Sequence, residues 1–157
     1  MISQQTIDAA RDMNTLTCAY FNAVSQEIGE ERALQLIAEV YDRMGLMQGQ
    51  LVKQQANIHS VNDAQAAYRH LIPVFEGYGL NWELVEDTPQ SIVYRTMRCP
   101  FYEAAQKVGI DAEAMCHAGP KSFMNAFLQQ LNPHVHFEIR HFRSSADDAC
   151  VEAVVLE

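Results

Sequence analysis

The chain has 157 residues, 48% of them apolar and 20% charged, and a formal charge of −9. That length can bury a core without disulfide or metal staples, so one folded domain over 1–157 is expected and a disordered chain is excluded. Scattered Lys and Arg with no basic run make nucleic acid an unexpected partner. No apolar stretch reaches the roughly 18 to 20 residues of a membrane span, and Met1-Ile2-Ser3-Gln4-Gln5 lacks signal-peptide character, so a cytoplasmic protein without a membrane partner is expected.

From Ser3 to Ile28, Ile7, Ala10, Met13, Leu16, Tyr20, Val24 and Ile28 recur at helical spacing, and Gly29 closes that helix. A second helix is expected over about Glu30 to Gln55, packing along a stripe of Ala33, Ile37, Val40, Met44, Met47 and Leu51. Gly45 and Gly49 on it allow another element to approach closely. The stripe can pack internally or against a second copy, which leaves a homo-oligomer open. Ser60 reads as the N-cap of a third helix toward Phe75 that Pro73 bends or ends, and Gly77-Tyr78-Gly79 breaks the helical part, about 1–78.

After Gly79 the apolar period falls to 2, predicting strands over Asn81 to Glu86 and Ser91 to Met97 around an Asp87-Thr88-Pro89-Gln90 turn. Pro100 suits the first turn of a helix that runs to Val108 and stops at Gly109. Asp111 caps the next helix, Gly119-Pro120 interrupts it, and Asn132-Pro133 ends the helical run. Strands follow over His134 to Arg143 and about Ala149 to Leu156. Helices first and then a mostly antiparallel sheet of about four strands define an α+β class, with the motif-bearing part over about 79–157.

The four cysteines, 18, 99, 116 and 150, have no C-x-x-C spacing, so free thiols, metal ligands or a nucleophile are the choices. Cys18, inside a helical pattern far from the others, reads as a small buried hydrophobe. Cys99 falls at a strand-to-helix junction beside Arg98, and both the helix N-terminus and the cation would favour its thiolate. Glu103, four residues on, can take a proton or cap backbone N–H groups. Cys116 and His117 are helical neighbours that point about 100° apart and form no ready-made dyad. Alternation over the penultimate strand puts His141 with the apolar Val135, Phe137 and Ile139, as a core residue or as a site residue, opposite His136, Glu138, Arg140 and Phe142. Asp147-Asp148-Ala149-Cys150 reads either as a solvated turn or as a carboxylate and thiol aimed into a cleft.

The run Arg98-Cys99-Pro100-Phe101-Tyr102-Glu103-Ala104-Ala105, then Gly109, Cys116, Asn132-Pro133 and Asp147-Asp148-Ala149-Cys150, resembles the L-2-amino-thiazoline-4-carboxylic acid hydrolase family. The Cys-Pro-x-Tyr-Glu core is its most specific part, and the likeness spans roughly residues 79 to 157. The chain departs from the pattern at Ala146-Asp147-Asp148, where a Gly-Asp pair is expected, keeping the carboxylate without the glycine. The closing segment also resembles vinyl-reductase-like ligand-binding modules, some of which hold zinc.

The first resemblance implies hydrolytic opening of a small sulfur- and nitrogen-containing ring, or of a related C–N bond, in a small-molecule substrate. In one version Cys99 or Cys116 attacks the amidine-like carbon while Glu103, His117 or His141 moves protons, with Asp148 and Cys150 in the same site. In the other, zinc held by Cys116, Cys150 and Cys99 or His141 activates water. Tyr102 and Arg98 or Arg140 would bind substrate, the arginine through its carboxylate. The second resemblance implies a small-molecule-binding or sensor module without turnover.

Overall fold

Ser3 opens the first helix by accepting a hydrogen bond from the Thr6 N–H, and from there the chain alternates helix and turn with few loops. The computed structural model describes residues 3–157. Met1 and Ile2, part of the stretch read for signal-peptide character, lie outside them. The described residues form α1 (Gln4–Ile28), α2 (Glu30–Gln55), α3 (Ala64–Gly77), β1 (Asn81–Asp87), β2 (Ser91–Arg98), α4 (Pro100–Val108), α5 (Ala112–Ala118), α6 (Pro120–Leu131), β3 (Val135–His141) and β4 (Cys150–Leu156). The strands make one antiparallel sheet in the order β1-β2-β4-β3, so the fold is α+β as expected.

Two clusters of buried side chains hold the molecule together. One joins α3 and α6 to the inner face of the sheet through Leu71, Phe75, Phe127, Leu128, Tyr94 and Val154. The other joins α1, α2, α4 and α5 through Cys18, Phe21, Ala33, Phe101 and Met115. Burial of these apolar surfaces is the main stabilising term.

α2 and α6 meet more closely than side chains would ordinarily permit. A Cβ on Gly45 would collide with the Phe123 carbonyl oxygen, and one on Gly49 would lie 2.7 Å from that of Phe127. The glycines therefore provide the packing face of α2, together with Ala33. Of the expected packing stripe, Ala33 is buried and Ile37 packs against the second cluster, whereas Met47 is 68% exposed and Val40, Met44 and Leu51 also lie on the surface. On α1, Ile7 and Cys18 are buried as expected, together with Phe21, while Met13, Leu16 and Tyr20 of the expected apolar face point out. Periodicity alone cannot rank two faces when the tighter one is built from small residues.

Three further expectations change. Asp63, not Ser60, caps α3, accepting from the Ala66 N–H at 2.7 Å, while the Ser60 hydroxyl donates to the Val61 and Leu131 carbonyls. α3 runs through Pro73 to Gly77, because packing of Leu71, Val74 and Phe75 against the sheet outweighs one lost backbone bond. On β3, Ile139 pairs with Glu152 but His141 pairs with Val151, so Arg140 is an extra residue in a bulge. The bulge reverses the alternation, turning His141 out and Phe142 in.

Gly45→Ala tests the helix contact. In an exposed helix this change stabilises by about 1 kcal/mol, whereas here overpacking is expected to lower the unfolding free energy by about 1–3 kcal/mol. Urea unfolding that showed equal or greater stability would refute the close approach.

Candidate functional site

The two core clusters do not meet fully, and the seam between them is a cavity of about 80 Å³. Strand alternation supplies its floor. Cys150 and Glu152 share the inner face of β4, and their partners across the ladder, Thr96 and Tyr94 of β2, face the same way. Phe137 and Phe142 close one side. Tyr102 packs on Phe142, with ring centroids 6.2 Å apart.

Cys99 enters from the junction of β2 and α4. As the residue that caps α4 it keeps an extended backbone, and its side chain forms no cap bond to the helix. Pro100 occupies the first turn, where no N–H is needed. The thiol is left on the cavity wall, with the backbone N–H groups of Tyr102 and Phe101 favouring its anion. Cys116 enters from the end of α5. Tyr41 of α2 lies over the break that follows, its ring 3.3 Å from where a Gly119 Cβ would stand.

Glu152 is the acidic group of this enclosure. Its Oε2 accepts a hydrogen bond from Thr96 Oγ1 at 2.6 Å. Burial raises its pKa, against the lowering effects of the Thr96 bond and of the positive charge on Arg143. Burial also governs the thiols. It pushes Cys99 up to about 12, Cys116 well above the ordinary thiol range, and Cys150 upward despite the neighbouring Arg143. The expectation of a depressed Cys99 pKa is thus reversed. Removal of water outweighs the two backbone donors, and Arg98, the cation invoked for it, is bound elsewhere.

Arg143 stands just behind the site, 4% exposed. Its Nη2 donates to the carbonyls of Thr96 and Met97, and its guanidinium lies 5.0 Å from the Tyr102 ring centroid. Its buried Nε has no hydrogen-bond partner among the described residues.

Of the residues singled out from sequence, Cys99, Cys116, Cys150 and Tyr102 line the cavity and the others do not. Arg98 and Glu103 form an ion pair on the outer side of α4, with Arg11 of α1 3.7 Å from the Glu103 carboxylate. His117 and Arg140 line a shallow surface groove with Asp42 and Lys121. Arg140 donates to Glu138 at 3.0 Å. His141, its side chain 50% exposed, bonds Asp148 at 2.8 Å. Asp148 accepts from the Ser144 N–H, His141 and the Ala149 N–H, which hold its pKa well below the carboxylate range. This carboxylate closes the β3–β4 turn.

The expected zinc ligands divide between the cavity and the surface. Cys116 and Cys150 face the cavity while the bulge carries His141 away, and among the described residues no three His, Cys, Asp or Glu side chains gather as metal ligands. Glu152 and Arg143 went unremarked in the sequence. For Glu152 a signal existed: it stands two residues after Cys150 in a strand, hence on the same face. Arg143 gave none, since its burial depends on the loop after the bulge.

Raised pKa and stability are linked. The higher folded value of Glu152 gives a contribution fully present below the ordinary 4.5 and lost as pH rises through the folded value. Glu152→Gln, which does not titrate, should therefore gain melting temperature relative to the native protein as pH is raised from 4 toward 8. A difference independent of pH would show that Glu152 titrates normally.

Comparison with known proteins agrees with this architecture. A family model described as L-2-amino-thiazoline-4-carboxylic acid hydrolase matches residues 10–151. No curated protein sequence matches the chain. Among solved structures, a trafficking protein particle complex subunit 3 from Naegleria fowleri, covalently bound to palmitic acid, is similar in fold with a TM-score of 0.58. It is 10% identical, over 92% of this chain and 95% of that one. No helix among the described residues is long and apolar enough to cross a membrane.

Proposed function

The chain belongs to the L-2-amino-thiazoline-4-carboxylic acid hydrolase family, and on that premise we propose that it is a hydrolase opening a small ring at a cyclic amidine carbon flanked by sulfur and nitrogen. The observation that carries the reading is the convergence of Cys99, Cys116, Cys150 and Glu152 on one enclosed cavity. Cys99 is the nucleophile of choice, because it alone has helix N–H groups to receive the developing anion. A thiol with a pKa near 12 needs a base, and Glu152 is the carboxyl that shares its cavity.

In this scheme the Cys99 thiol gives its proton through Glu152 to the ring nitrogen while sulfur adds to the amidine carbon. The ring C–S bond then breaks, and the departing sulfur takes up a proton, leaving an isothiourea on Cys99. Water attacks that carbon, Cys99 leaves as the thiol, and the product is a urea-type carbamoyl compound. The sum is addition of one water. No step requires zinc.

The apolar lining favours a second reading, a ligand-binding module without turnover. The trafficking subunit of similar fold is covalently bound to palmitic acid. Incubation with 2-amino-thiazolines, followed by mass spectrometry of products, separates the readings. Turnover is expected, with Cys99→Ala abolishing it and Glu152→Gln lowering kcat by about 10²–10⁴-fold. Full activity in Cys99→Ala would remove the covalent scheme, and binding without product would favour the module.

A further inference from the structure

α2 turns Gly45 and Gly49 toward α6, and its bulkier Val40, Met44, Met47 and Leu51 are left on the surface. On the neighbouring α1, Met13, Leu16 and Tyr20 are 73%, 74% and 71% exposed. A surface groove runs between the two helices, with Met13, Leu16 and Tyr20 standing along it and Ile37, Tyr41 and Tyr78 half-buried in it. Sixteen described residues line this groove and none of them carries a formal charge, in a chain whose net charge is −9. The groove also borders the cavity, since Asn14, Tyr41 and Tyr78 line both.

We propose that a second copy of this chain docks on the α1–α2 face and completes the cavity wall at Asn14, Tyr41 and Tyr78. Large apolar groups left in water forfeit the burial that stabilises the rest of the fold, and a contiguous patch of them marks a contact surface. Charge selects the partner. Anionic lipid is repelled by a net-acidic chain whose groove has no Lys or Arg, and a basic protein finds no carboxylate there to meet. An identical face brings no like charges together at the centre of the contact. Shape agrees, because a two-fold contact is self-complementary and one face has to supply both ridge and recess. Here the protruding Met13, Leu16 and Tyr20 are the ridge, and the groove beside them is the recess. In extent, the sixteen lining residues, continued along α2 by Met47 and Leu51, approach the roughly 20 residues a side of a stable interface. The partner then packs against the outer side of the tyrosines whose inner side faces the thiols.

Sedimentation velocity of the full chain over about 1 to 100 μM tests this. A mass twice the 17.7 kDa of one chain is expected. Leu16→Glu and Val40→Glu, one on each helix and both at exposed positions, are expected to sediment as monomers with unchanged circular dichroism. Leu84→Glu, also exposed but on β1, is expected to stay dimeric. In the monomeric variants Cys99 and Cys116 are expected to lose protection against N-ethylmaleimide, read by mass spectrometry. A single-chain mass at every concentration overturns the proposal, and binding of decanoate by that monomer assigns the groove to an apolar ligand instead. A dimer that survives both α1 and α2 substitutions places the contact elsewhere and also overturns it. Equal labelling of monomer and dimer removes the partner from the cavity wall.

Discussion

Glu152 stands on the inner face of β4 with Thr96 Oγ1 2.6 Å away, and the hydration it gives up there is replaced by one hydrogen bond and the field of a buried arginine. That deficit governs the chemistry around it. It raises the proton affinity of the carboxyl, and with the same loss of water it keeps Cys99, Cys116 and Cys150 protonated.

The helices make that enclosure. Gly45 and Gly49 allow α2 to lie on the backbone of α6, and this contact sets Tyr41 over the break between α5 and α6, at the cavity wall. On the opposite side, the bulge at Arg140 turns Phe142 inward against Tyr102. Two glycines and one extra strand residue thus have effects several residues away. Arg143 then bridges the two regions, tying the β2 carbonyls of Thr96 and Met97 to the loop that leads to Cys150.

The comparisons bear on different levels. The family match spans nearly the whole chain and supports hydrolase-type chemistry, whereas the similarity to the trafficking subunit, at 10% identity, concerns the fold alone. The seam of this chain holds three thiols, one carboxyl and several aromatic side chains.

Much of the local structure was legible along the chain. The turn at Asp87 to Gln90, the Pro100 start and Gly109 stop of α4, the Asp111 cap of α5 and the Gly119 break rest on φ preferences and capping bonds, which neighbours in sequence decide. Cys99, Cys116, Cys150 and Tyr102 could be singled out because they sit at such boundaries or in the motif. Charges and phases could not. Arg98, Glu103 and His141 looked like site residues until their partners, Glu103, Arg11 and Asp148, were known. The bulge that turns His141 away depends on the β3–β4 register, and the outward stripe of α2 on the glycine contact with α6. The sequence by itself determined where elements begin and end and which thiols are available. Only the tertiary structure decided which side chains lose water together, because desolvation is a property of the whole surrounding surface and not of any one segment.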